Sequence, residues 1–275
     1  MKLAFTGKGG SGKTTAAGVL AHLFSKDGFK VLAVDADPDA NLASSLGIPS
    51  KKASSLVPIS EQRLLIKERT GANPRQFGQL FRMNPQVSDI PEKFSVEFQG
   101  IKLLVMGAVR KGGSGCACPE NVLLRSLLSE IILNRNEVVI VDMEAGIEHL
   151  GRGTASAIDK MVIMVEPGLK SIHTARTIMK LGKEIGISGF GIIGNKIHSS
   201  EDEEWIGQRL PRELILGMIP YSEIINEADR KETPLIDALD EKLREEFSRI
   251  YTALTRHSNH TLPNGGFPES KTGSF

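Results

Sequence analysis

Gly7-Lys8-Gly9-Gly10-Ser11-Gly12-Lys13-Thr14 has the residue types and the spacing, G-x-x-x-x-G-K-[ST], of a loop that wraps a chain of phosphates. Glycines at 7, 9, 10 and 12 let successive backbone N–H groups come close to one concentrated negative charge. A helix starting near Lys13 adds its positive end. Lys13 is placed to span the β- and γ-phosphates and the Thr14 hydroxyl to coordinate Mg²⁺, with Thr15 and Ser11 completing the loop's nucleotide contacts. Lys8 is an extra cation that would repel Lys13 unless an anion lies between them or Lys8 points elsewhere.

Two acidic signals accompany the loop. The apolar run 31–35 leads into Asp35, Asp37 and Asp39, which can reach Mg²⁺ or an attacking water; Asp35 and Asp39 could instead cap the following helix. The run 138–142 ends in Asp142, a carboxylate that would hold Mg²⁺ through water. Met143-Glu144-Ala145-Gly146 follows, and Gly146 would let the backbone approach the γ-phosphate and move when that group is lost. Lys13, Thr14, Asp37 and Asp142 together point to ATP hydrolysis rather than passive binding.

The third chemical signal is Cys116-Ala117-Cys118, the chain's two cysteines, in a glycine-rich stretch before a helical pattern with Pro119 suited to its first turn. Thiols two residues apart make a strained disulfide, so metal ligation or redox chemistry is the reading. A helix N-terminus is expected to favour thiolate. Two thiolates leave a tetrahedral or square-planar ion half coordinated, so a second subunit would supply the other pair.

These residues need a scaffold. Continuous apolar, β-branched runs at 3–6, 31–35, 103–106, 138–142, 161–165, 190–194 and 214–219 read as strands covered on both faces. The fold class is α/β: a phosphate-loop NTPase with a mainly parallel, roughly seven-stranded sheet between helical layers. Residues 95–98, turning at Gln99-Gly100, add a candidate antiparallel edge strand. Helices are expected at 14–25, 61–69 and 74–81, the last two within an irregular insertion, 48–94. Residues 1–256 read as one ATPase domain and 257–275, rich in proline and glycine, as a disordered tail.

Of 275 residues, 40% are hydrophobic, enough for a substantial core, and the formal charge is +1 with no basic tract, which argues against nucleic acid as a partner. The apolar runs fall short of the roughly 20 residues a bilayer demands, so no membrane partner is expected. A signal peptide would have to be cut from the phosphate loop itself, which points to the cytoplasm.

The loop with Lys8 resembles the deviant phosphate-loop ATPases, a family that includes the nitrogenase iron protein and the septum-site and plasmid-partition ATPases. That resemblance implies a homodimer in which Lys8 reaches the partner's phosphates, a water-orienting role for Asp37 and an adenine contact for Asn195. Pro220 and its neighbours are weaker candidates for the base pocket. Gly113-Ser114-Gly115-Cys116-x-Cys118-Pro119-Glu120-Asn121, Asp35-Ala36-Asp37-Pro38-Asp39-Ala40-Asn41-Leu42 and the segment 142–154 look like the CooC-type carbon monoxide dehydrogenase maturation factors. This closer resemblance implies ATP, Mg²⁺ and Ni²⁺ (or Zn²⁺), with the ion held at the dimer interface by Cys116 and Cys118. The implied client is a nickel enzyme such as carbon monoxide dehydrogenase or the related acetyl-CoA synthase.

The switch cysteine of the nitrogenase iron protein is missing from 143–146, which disfavours an electron-donating cluster in that arrangement. An iron–sulfur carrier bridged by the same four thiolates remains an alternative, and a positioning ATPase a more distant one. His149 and Arg152 are candidates for a third ligand and a partner contact, or for helix capping and salt bridging; His22 and His173 read as structural or surface residues.

Overall fold

A computed structural model of the chain describes residues 1–74, 76, 78–107, 118–135, 137–144, 150, 152–231 and 233–256. In chain order the strands are β1 (Lys2–Gly7), β2 (Val31–Ala36), β3 (Val96–Phe98), β4 (Ile101–Val105), β5 (Val138–Met143), β6 (Lys160–Val165), β7 (Phe190–Ile197) and β8 (Ile215–Pro220). The helices of the first half are α1 (Lys13–Lys26), α2 (Leu42–Ser45), α3 (Ser50–Ala53), α4 (Arg63–Thr70), α5 (Ile90–Phe94) and α6 (Pro119–Asn134). Those of the second half are α7 (Arg152–Ala155), α8 (Leu169–Ile185), α9 (Ser200–Gly207), α10 (Glu223–Arg230), α11 (Leu235–Ala238) and α12 (Glu241–Thr255).

The strands form one sheet in the order β3-β4-β2-β5-β1-β6-β7-β8, and every neighbouring pair is parallel except β3 with β4. Alternation along each strand divides the core in two. Leu3, Phe5, Ala33, Ile140 and Val162 pack on one face with α1, α11 and α12, while Ala4, Leu32, Val34, Val141 and Ile163 pack on the other with α4, α6 and α8. Neither face is left for water, which is why the middles of these strands are apolar and their polar residues fall at the strand ends.

The edge strand is present as expected: Phe98 pairs with Ile101 across a tight turn in which Gln99 and Gly100 have φ of 47° and 77°, the pair of positive values a two-residue hairpin needs. Counting it, the sheet has eight strands rather than seven, and β7 runs past the expected end to Ile197. The helix expected over 61–69 is α4. None appears among the described residues of 74–81. There Gly78 takes φ +76°, and the Gln79 side chain bonds the Asn73 N–H at 2.9 Å and C=O at 3.0 Å, closing a loop where a helix would have used backbone partners. The expected tail, 257–275, lies outside the described residues. No described helix is long and apolar enough to cross a membrane.

Helix α1 packs against its neighbours through small residues. A Cβ at Gly18 would sit 2.9 Å from Ser45 Cβ and 3.0 Å from its carbonyl oxygen, so α2 lies directly on the α1 backbone.

Candidate functional site

The phosphate loop leaves the sheet at its centre. Gly7 ends β1 in register with Met164 of β6, and with φ +145° its missing side chain makes room for the Met164 carbonyl, which a Cβ would meet at 2.6 Å. Gly12 has φ +91°, and a Cβ there would fall 2.2 Å from Asn195 Nδ2. Both positions demand glycine, one for space across the sheet and one for turn and space together. The loop is braced from behind: Asn195 Nδ2 donates to the Ser11 carbonyl at 2.8 Å, and Lys196 Nζ donates to the Gly10 carbonyl at 2.8 Å. Lys13 is 7% exposed at the start of α1.

Asp35 and Asp142 are paired in register on adjacent strands and both are fully buried. Their surroundings differ. Asp35 accepts backbone N–H groups from Leu42 at 2.9 Å and Asp37 at 3.2 Å, so it, rather than Asp39, anchors the start of α2. Burial nevertheless raises its pKa to about 6, against the pull of those donors. Neither oxygen of Asp142 completes a hydrogen bond of normal geometry to a described residue. Burial raises its pKa to about 7, with Thr14 and Lys13 pulling it down and Asp35 and Asp37 pushing it up. A buried carboxylate of this kind beside a threonine hydroxyl is a fitting donor set for a hard divalent cation. Asp37 is partly exposed and accepts the Asp39 N–H at 3.0 Å.

A cleft of about 670 Å³ opens over this edge, lined on one side by Gly9, Gly10, Gly12, Lys13, Thr14 and Thr15 and facing Asp37 and Glu144. Its far wall comes from Ser44 and Ser45 of α2 and from Ile225, Asn226, Thr233 and Leu235. Sequence reasoning missed this wall, because none of its residues carries a motif and its two parts, in α2 and between β8 and α12, are far apart in the chain. Asn195 and Pro220, expected near the base, do not line the cleft: Asn195 supports the loop and Pro220 pairs with Ile197 in the sheet. Asn195 also lies within β7 rather than ending it.

Lys8, unlike Lys13, is not among the residues that line the cleft. It is 44% exposed, and its Nζ lies 3.8 Å from Glu166, a carboxylate that belongs to no motif.

Cys118 caps the N-terminus of α6 with Pro119 in the first turn, as expected. Its thiol pKa is raised, not lowered: desolvation by burial outweighs the Asn121 N–H, and Glu120 adds to the rise. The thiolate expected from helix position alone is therefore a correction, since half-burial beside an acidic neighbour overrides the helix end. Cys116, Gly146 and His149 lie outside the described residues, and among the described residues no cluster of three His, Cys, Asp or Glu side chains could hold a metal. Arg152 is exposed at the start of α7. His22 is buried with Nε2 3.1 Å from the Leu46 carbonyl, while His173 is exposed, so both fit the structural or surface roles expected.

A glycine loop between a central parallel strand and α1, with a buried carboxylate ending the next strand, is the arrangement of a phosphate-loop ATPase. Residues 3–235 match the CobQ/CobB/MinD/ParA nucleotide-binding domain, and the chain belongs to that family. It is 50% identical over 230 residues to the carbon monoxide dehydrogenase accessory protein CooC of Rhodospirillum rubrum, spanning 84% of this chain and 87% of that protein. An ATP-binding protein of Methanocaldococcus jannaschii is 44% identical over 95% of this chain and its own full length. Among solved structures, the septum site-determining protein MinD of Pyrococcus horikoshii, complexed with Mg-ADP, superposes with a TM-score of 0.65 at 18% identity, covering 92% of this chain and 95% of that one, which establishes the fold. The expected resemblance to CooC-type proteins is borne out.

Proposed function

We propose that the chain is a homodimeric, ATP-hydrolysing nickel metallochaperone that serves carbon monoxide dehydrogenase or a related nickel enzyme, acting in the cytoplasm. Lys13 and the loop N–H groups bind the β- and γ-phosphates, and Asp37 orients the attacking water. Thr14 and Asp142 hold Mg²⁺, which when bound offsets charge on the phosphates. Gly146 senses the γ-phosphate, and Asn195 braces the loop that holds the phosphates. Lys8 completes the partner's site, and Cys116 and Cys118 from both subunits hold the nickel cargo.

Kinship with CooC supports the client. The observation that carries the coupling is that Lys8 and Cys118 stand on the same edge of the sheet. Helix α6 has 16 residues, about 24 Å by its rise, and ends just before β5 begins, so its N-terminus returns to the carboxyl edge where β1 delivers the phosphate loop. The same sheet edge therefore carries both a half-exposed lysine and a thiol.

Closing the dimer on ATP would change the spacing of the thiolates, and hydrolysis would release the ion. The test is the metal-to-protein ratio of anaerobically purified protein with and without ATP. A colourless protein taking up one nickel per dimer in an ATP-dependent manner is expected; a brown protein with iron and sulfide, or unchanged metal binding by the Cys116→Ser, Cys118→Ser double variant, overturns the reading.

A further inference from the structure

Two lysines beside the phosphate loop share one carboxylate. Glu166, directly after β6, sits 2.6 Å from Lys196 Nζ through Oε1 and 3.8 Å from Lys8 Nζ through Oε2. Its side chain is 19% exposed, against 46% for Lys196 and 44% for Lys8. Lys196 is further tied by its bond to the Gly10 carbonyl and adopts φ +58°, a left-handed conformation that is uncommon for a residue with a side chain. The carboxylate is thus fixed by one lysine, and the second is held at the outer limit of ion pairing with no hydrogen bond.

We infer that Glu166 is a positioning residue for Lys8: it seats the lysine against its own subunit until the triphosphate of a second copy draws it across the interface. The inference rests on the proposed dimer in which Lys8 meets the partner's phosphates. The arrangement suits release. At 3.8 Å and 44% exposure the Lys8 contact is screened by water and salt, so a multiply charged triphosphate outcompetes a single carboxylate. When Lys8 leaves, Glu166 keeps Lys196, so no partly buried charge is stranded. The contact therefore sets a threshold rather than a lock, worth about 2- to 5-fold in the dimer equilibrium, the range of an exposed ion pair.

The experiment is sedimentation velocity of the full chain over a range of concentrations, with Mg²⁺ and a non-hydrolysable ATP analogue. Glu166→Gln is expected to tighten the dimer by about 2- to 5-fold, and to have no effect in a Lys8→Met background. Lys196→Met, which leaves Glu166 free to grip Lys8 more firmly, is expected to weaken the dimer. Opposite signs for the two variants distinguish a seat for Lys8 from simple support of the loop. An unchanged or weaker dimer in Glu166→Gln, the same shift with Lys8 absent, equal signs for both variants, or loss of Mg-ADP binding by Glu166→Gln each overturns the inference. A wild-type chain that stays monomeric with the analogue at every concentration instead removes the dimer reading beneath it.

Discussion

Asp142 and Cys118 each stand at the end of a regular element, yet they are placed by different means. Asp142 is the last residue but one of a central strand, is 0% exposed, and is fixed by register to Phe5 on one side and Asp35 on the other. Cys118 precedes a helix, is half-buried, and enters from a glycine-rich segment. A sheet position tolerates almost no displacement without moving its neighbours, whereas a helix-cap position at the end of a long connection can shift as a unit. The nucleotide chemistry is thus built into the framework of one chain. The proposed metal chemistry would instead sit at an edge, where a second chain or a change of nucleotide could act on it.

The largest effect should come from the framework side. Asp37→Ala is expected to lower the ATP turnover number by about 10²- to 10⁴-fold, the range for loss of a positioned proton acceptor, while nucleotide binding persists and an ATP-bound dimer accumulates. Steady-state ATPase assays and size measurements on the same sample check it; normal turnover would remove Asp37 from the chemistry. Lys13→Ala is expected next, with nucleotide binding weakened by about 100-fold or more through loss of a charge-assisted contact, read by calorimetric titration with Mg-ATP. Cys118→Ser tests the other region: metal affinity should fall by at least the roughly 10-fold seen when a metal's surroundings are disturbed, with ATP affinity unchanged. If that variant also loses ATP binding, the two regions are not separately built.

The smallest expected effect is a slope with pH. The folded-state pKa of Asp142, about 7, lies above its unfolded value of 3.8, so between them the native state holds a proton that the unfolded chain has released. Stability of nucleotide-free protein therefore falls as pH rises from about 4 to about 7, Asp35 adding to the fall below about 6. Melting curves at several pH values should show a shallower slope in Asp142→Asn. Equal slopes would mean that the framework does not strain this carboxylate.

Much of the framework could be read from the chain because each strand is buried on both faces and so advertises itself as an unbroken apolar run. The hairpin at Gln99-Gly100 was legible for a local reason too, a residue pair able to take positive φ. What escaped reading was set by contacts distant in sequence. Glu166 and Lys8 are separated by the whole nucleotide half of the fold, and no spacing rule joins them. The thiol of Cys118 follows its burial and Glu120 rather than its place on a helix. The segment 74–81 has a helical pattern, but Gly78 takes a positive φ and the Gln79 side chain ties itself to the Asn73 backbone and the Gln76 carbonyl. Both Asp35 and Asp39 were legible as anchors of the following helix, and burial beneath the Leu42 N–H decided for Asp35.

Gly18 offers a further consequence. Because α2 rests on the bare backbone of α1 at that point, and Ser45 beside it forms part of the cleft wall, the width of the nucleotide cleft is gauged by a hydrogen atom on the opposite side of that wall. Substituting Gly18→Ala inserts a methyl group as a shim 2.9 Å from Ser45 Cβ, too close for the two to coexist unless α2 moves outward. Nucleotide fit can in this way be retuned from a residue that touches no nucleotide.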